Sequence, residues 1–294
     1  MTAAQGGDRL RPAVGNTPMS VVTWRLVLDR AGDGPANMAT DEAILNAVAA
    51  GCAPPTIRFY RWQAPWLSLG YGQRKIGDLL DRCREAGVGV VRRITGGRAV
   101  LHNDEVTYCL VAPINLRPEF GTITSSYRLF SQALALGLSR LGIAAKRDAA
   151  EGPRRSSCGQ MCFAVALGAD LRVGGAKLVG SAQARKSGVL LQQGSLLVSI
   201  DWDLNRRIFG QEAARAQNQG YVACLSDLCP GLGADAILPA LLVGFGEVLG
   251  PLQEAALSGG ERSAARELAA RKYRSFLWTL GYPPRGSVDV LPNG

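Results

Sequence analysis

Histidine is almost absent: the 294 residues hold one, His102. A metal centre built on several imidazoles is thereby excluded, and at most one imidazole is available for acid–base work. Aromatic side chains are also sparse, at 6% of the chain. Long apolar runs are missing. The longest stretch without a charge, Ala43 to Ile57, is broken by Pro54 and Pro55 and is too short to span a bilayer. The first twenty residues carry Arg9 and Arg11 but no apolar segment of the kind a secretory signal needs, so 1–20 reads as a flexible N-terminal tail. Neither G-x-G-x-x-G nor G-x-x-x-x-G-K-[ST] occurs, and a phosphate-binding loop is therefore not expected.

What is present is enough apolar material for a large core, 47% of residues. Lys plus Arg number 33 against 24 Asp plus Glu, a net charge of +9 that favours an acidic partner. On composition alone, nucleic acid, anionic lipid and acidic protein all remain open. Seven cysteines, an odd number without a secretion signal, argue against a disulfide framework and for a reducing, cytoplasmic setting.

Asn37 is placed to cap a helix with Asp41 and Glu42 near its positive end, Met38, Asp41, Leu45 and Val48 on one face, and Gly51 at its close. Short β-rich runs follow, at 56–60, 88–94, 99–102 and 106–112, separated by Gly, Pro and Asn-Asp turns. Tyr127, Phe130, Leu134, Leu138 and Leu141 then recur at helical spacing up to Gly142. Residues 170–173 and 176–179 flank Gly174-Gly175, a two-residue hairpin signal that sets Lys177 opposite Arg172. A last strand is expected at 194–200, before a helix-rich end that includes Ile237, Leu241 and Val248. The expected order is helix, sheet, helix, second sheet, helices. That is an α+β class, mixed sheets flanked by helices.

Three segments carry more glycine and polar residues than packing requires. In RRITGGRAVLH (92–102), Gly96-Gly97 joins two strands and allows backbone N–H groups to approach a ligand; the plain alternative is an ordinary hairpin turn. In SSCGQMCF (156–163), Cys158 and Cys162 lie in a stretch whose loop character would expose a thiol, against the plain alternative of a buried inert cysteine. Zinc held with Cys224 and Cys229 is the weaker reading, because the spacings differ from the usual C-x-x-C knuckles, and no metal is expected. The third segment, 176–195, contains Lys177, one of five lysines in a chain that otherwise uses arginine. An ammonium near a thiol favours thiolate; the alternative is a surface charge paired diagonally with Asp170.

Taken in this order, the segments NMATDEAIL (37–45), TIRFYRWQAPWLSLGYGQ (56–73), 92–113, SYRLFSQAL (126–134), Cys162-Phe163 and 170–195 resemble the biotin/lipoate protein ligase superfamily, most closely its LipM-type octanoyltransferase branch. The resemblance implies a catalytic domain over 21–230, with 231–294 as a helical C-terminal extension. It implies transfer of octanoyl from acyl carrier protein to a lysine of an apo lipoyl domain or the glycine cleavage H protein, without cofactor, metal or ATP, and with no role for nucleic acid or membrane. Cys162 then corresponds to the acyl-carrying nucleophile and Lys177 to the lysine that favours its thiolate. Arg93, Gly96, Gly97, Arg98, His102, Gly180, Ser181, Gln183 and Gly194 correspond to the substrate pocket. The chain departs from the family at Gln193-Gly194-Ser195, where HGS is common, and in carrying Cys158 beside the nucleophile. The same resemblance admits two rivals: an ATP-dependent lipoate–protein ligase, and an octanoyl amidotransferase acting between lipoyl domains.

Overall fold

The computed structural model describes residues 22–74, 76–147, 159–163 and 170–281. Eleven strands are present among them: β1 (Trp24–Leu28), β2 (Thr56–Tyr60), β3 (Trp66–Leu69), β4 (Gly89–Arg92), β5 (Val100–His102), β6 (Glu105–Pro113), β7 (Lys146–Arg147), β8 (Leu171–Val173), β9 (Ala176–Lys186), β10 (Val189–Leu197) and β11 (Leu252–Glu254). The helices are α1 (Gly34–Ala49), α2 (Leu79–Glu85), α3 (Ile123–Ser139), α4 (Trp202–Phe209), α5 (Gln211–Asn218), α6 (Leu225–Leu228), α7 (Ala234–Leu249), α8 (Gly259–Leu268) and α9 (Phe276–Leu280). Eight strands form one mixed sheet in the order β11-β1-β2-β6-β10-β9-β8-β7, and β4-β3-β5 form a small second sheet.

Both faces of the large sheet are covered, which is why β6 is apolar almost throughout rather than alternating. Tyr108, Leu110 and Ala112 pack with Phe120, Phe130 and Phe245 beneath α3 and α7. Cys109 and Val111 face the other way, onto Ile44, Leu45 and Val48 of α1. A third cluster joins the small sheet, through Leu67 and Leu69, to Ile208 and Ala213 of α4 and α5, and it includes Met161 and Phe163. Cys162 is thus anchored on both sides by buried neighbours.

The α+β class holds, but three details differ from the sequence reading. The first helix is capped by Asp33, whose Oδ1 accepts from Ala36 N at 2.7 Å, because Pro35 needs no amide partner in the first turn. Asp41 and Glu42 therefore sit mid-helix and buried. Asp41 accepts from Arg58 (2.7 Å), Tyr60 (2.9 Å) and Gln193 (2.7 Å), while Glu42 accepts from Lys272 (2.8 Å) and Tyr273 (2.6 Å). These acids cross-link the fold instead of complementing a helix dipole.

Second, Gly96-Gly97 does not close a hairpin: β4 and β5 lie on opposite sides of β3, so residues 93–99 cross over the end of that strand. Third, the described strands after α3 form no separate sheet: β10 pairs with β6 along its whole length and draws β9 and β8 into the same sheet. The Gly174-Gly175 hairpin forms as read, with Lys177 opposite Arg172. Beyond residue 230, α7 lies on α3, β11 runs parallel to β1, and Arg25 pairs with Glu261 of α8 at 2.5 Å.

Candidate active site

Cys162 is delivered to the small sheet by a short extension of its ladder. Ala99 N donates to Gln160 O (2.9 Å) and Cys162 N donates to Ala99 O (2.8 Å). The N–H of Cys162 is consequently unavailable to an oxyanion. From the far side, the β8–β9 hairpin brings Lys177 Nζ to 3.7 Å from Cys162 Sγ and 3.3 Å from Cys162 O. Lys177 is fully buried, with Asp170 Oδ2 at 3.0 Å and the Phe163 ring centroid at 5.0 Å. The pairing with Asp170 exists, but it is an interior ion pair and not the surface contact of the plain alternative. Burial alone would lower the Lys177 pKa; the charges of Cys162 and Asp170 outweigh it and raise it above the ordinary value, keeping an ammonium beside the sulfur. Gly180 leaves room for this: a Cβ there would stand 3.0 Å from Lys177 Cε.

Cys162 opens into a narrow cavity of about 40 Å³. Gly97, Gly180, Ser181, Ala182 and Gly194 line it beside the thiol, and Met38, Tyr60, Trp62 and Val100 add apolar surface. One group of polar side chains at the lining is joined by hydrogen bonds to Glu105 behind it. His102 stacks on Trp62 with centroids 4.0 Å apart, its Nε2 is 2.7 Å from Ser68 Oγ, and its Nδ1 is 2.6 Å from Glu105 Oε1. The same Glu105 oxygen accepts from Trp62 (3.1 Å) and Ser195 (2.8 Å). Burial pushes the Glu105 carboxyl up, but His102 and the hydroxyls of Thr107 and Ser195 outweigh it and hold the pKa below the ordinary value. With both ring nitrogens occupied, His102 shapes the cavity and has no nitrogen left to serve Cys162.

Arg93 is buried and donates to Ser68 O (3.0 Å), Ser68 Oγ (2.9 Å), Gly96 O (2.7 Å) and Arg98 O (2.8 Å). Its guanidinium staples the crossover loop against β3, and burial lowers its pKa. Gln193 lines the cavity too: its Oε1 accepts from Thr95 at 2.8 Å and its Nε2 donates to Asp41 at 2.7 Å, linking the glycine loop to α1.

Of the residues singled out from sequence, Cys162, Lys177, Arg93, Gly97, His102, Gly180, Ser181 and Gly194 converge, with Gly96 adjoining Gly97 in the loop. Two others turn elsewhere. The Arg98 guanidinium lies beside Gly159, outside the cavity lining, and Gln183 bonds Ser126 (3.0 Å) and Gln192 (3.1 Å) toward α3. Cys158 lies outside the described residues. Cys224 is buried, with Sγ at 3.0 Å from Asp227 Oδ2, and among the described residues no three His, Cys, Asp or Glu side chains are grouped to hold a metal. Glu105, Ser68 and Trp62 escaped the sequence reading. The one signal for Glu105 was its position three residues after the lone histidine, across an Asn-Asp turn.

No helix among the described residues is long and apolar enough to cross a membrane. The model of the lipoyl protein ligase A/B catalytic domain matches residues 33–246. Octanoyltransferase LipM of Kyrpidia tusciae is 38% identical over 269 residues, covering 87% of this chain and 98% of that protein. Among solved structures, a lipoate-protein ligase A bound with ATP superposes with a TM-score of 0.73 at 28% identity, covering 88% of this chain and 99% of the other. A bi-partite lipoate protein ligase from Thermoplasma acidophilum, described with its E2 lipoyl domain, gives 0.71 at 26% identity, covering 91% and 100%. By sequence and by architecture, the chain belongs to the lipoyl protein ligase A/B catalytic domain family.

Proposed function

We propose that the protein is an octanoyltransferase of lipoate biosynthesis, an acyltransferase that carries the octanoyl group as a thioester on Cys162. The observation that carries this reading is the thiol 3.7 Å from a buried ammonium at the edge of a largely apolar cavity. The donor is octanoyl acyl carrier protein and the acceptor is a lysine of an apo lipoyl domain or H protein. A net charge of +9 suits partners that are acidic.

In the first half-reaction the Cys162 thiolate attacks the thioester carbonyl, and the Lys177 ammonium, after holding the developing oxyanion, gives its proton to the departing pantetheine sulfur and is left as a neutral amine. Acylation removes the negative sulfur that had raised the Lys177 pKa, so burial then counts for more and the amine becomes easier to deprotonate. That is the property the second half requires: the acceptor amine attacks the acyl-enzyme, its proton passes to Lys177, and the Cys162 thiolate leaves. Thioester to thioester to amide runs downhill, and ATP is not consumed.

An ATP-dependent ligase would use the same fold without needing the thiol. Intact mass spectrometry after mixing the protein with octanoyl acyl carrier protein, with ATP omitted, separates the two. Gain of one octanoyl group, lost again on adding apo lipoyl domain, supports transfer; strict dependence on ATP with free octanoate or lipoate refutes it.

A further inference from the structure

The loop that carries the nucleophile is held from behind by a residue remote in sequence. Glu212, in the first turn of α5, accepts from Gln160 N through Oε2 (2.8 Å) and from Met161 N through Oε1 (3.1 Å). With Cys162 N bound to Ala99 O at 2.8 Å, three consecutive backbone donors leading into the thiol are committed, two of them to one carboxylate. Approach is close enough to demand glycine at 159: an added Cβ would stand 2.1 Å from Glu212 Oε1 and 3.1 Å from Arg98 Nη1. The helix supplying the carboxylate is itself fixed, since Ala213 and Ala216 are buried in the cluster that also holds Met161 and Phe163.

We propose that Glu212 is a positioning residue for the acyl-transfer chemistry, a carboxylate clamp on Gln160 and Met161 that sets the Cys162 thiol at its distance from Lys177. The proposal rests on Cys162 as the nucleophile. The device is geometric, acting through the two backbone contacts. Two amide bonds to a charged acceptor are strong ones, and without them the loop loses its tie to α5 while keeping the Ala99 and Lys177 contacts on its other side. Displacement of a reacting atom by about 1 Å costs up to about a hundredfold in rate.

The test uses the full-length protein, three single variants, Glu212→Ala, Glu212→Gln and Gly159→Ala, and the double variant that combines Glu212→Ala with Gly159→Ala. Acyl-enzyme formation is measured by single-turnover mass spectrometry, alkylation of Cys162 by iodoacetamide is followed against pH, and thermal midpoints are recorded. Glu212→Ala is expected to slow acylation at least about tenfold and to raise the pH at which Cys162 is half-alkylated, since a loosened thiol drifts from its ammonium. Glu212→Gln, whose amide oxygen still accepts one N–H, should recover part of both. Gly159→Ala displaces the carboxylate without altering it and should reproduce the Glu212→Ala defect. The double variant should then be no worse than either single one, whereas independent effects would multiply.

Acylation and alkylation within twofold of wild type in Glu212→Ala would overturn the clamp. So would a slowed rate accompanied only by a lower thermal midpoint, with the alkylation profile unmoved. A Cys162→Ser variant that still forms acyl-enzyme would instead overturn the assignment beneath it, and the two failures are distinguishable because alkylation of Cys162 does not require catalysis.

Discussion

Replacing Lys177 separates a structural charge from a chemical one. Lys177 and Asp170 are each 1% exposed and lie 3.0 Å apart, so Lys177→Ala strips a buried carboxylate of its ammonium. Breaking one side of a buried pair costs about 3–5 kcal/mol, a large share of the roughly 5–15 kcal/mol that holds a domain folded. Loss of activity in Lys177→Ala would therefore be ambiguous. The decisive comparison is Lys177→Met combined with Asp170→Asn, which removes both charges at similar volume and should return most of that stability. Urea unfolding should then place the double variant near wild type, while single-turnover acylation stays about a hundredfold or more below it, the scale of a lost acid–base group. Because the folded-state pKa of Lys177 is raised, the stability gap between wild type and Lys177→Ala should be constant at neutral pH and close only as pH rises beyond the ordinary value of 10.5. A double variant that regains wild-type acylation would refute a chemical role for Lys177 and leave it an internal strut.

Cys162→Ser should form no acyl-enzyme, whereas Cys158→Ser should retain most transfer; intact mass after incubation with octanoyl acyl carrier protein decides, and the reverse pattern would move the nucleophile to Cys158. Glu105, whose pKa is depressed in the folded state, contributes stability that is full above its ordinary value of 4.5 and is lost as pH falls through the folded value. Glu105→Gln should accordingly show a flatter acid limb in urea midpoints against pH, and equal limbs would remove Glu105 from the list of groups that set acid stability. Gly194→Ala would bring a Cβ to 2.4 Å from the Tyr108 ring, and an overpacking loss of about 1–3 kcal/mol is expected in the urea midpoint. An unchanged midpoint would mean that Tyr108 yields without cost.

Much of the architecture is written locally. Two adjacent glycines at 174 and 175, with φ of +57° and +88°, force the turn that presents Lys177, and the 3.6-residue recurrence from Tyr127 to Leu138 is enough to define α3. Cys162 and Lys177 could likewise be singled out as candidates by likeness, because both reside in short motifs of glycine and polar residues that packing does not explain. What sequence could not convey depends on partners far along the chain. Asp41 and Glu42 read as first-turn acids until Arg58, 17 positions on, and Lys272, 230 positions on, are folded against them. Gly96-Gly97 reads as a hairpin because nothing local says that β3 inserts between β4 and β5. Spacing within one segment reports which face a side chain takes, and so α1, α3 and the hairpin were legible. Whether a buried charge is tolerated, whether a thiol meets an ammonium at 3.7 Å, and whether Glu212 reaches the loop before it are decided by segments brought together only when the core closes.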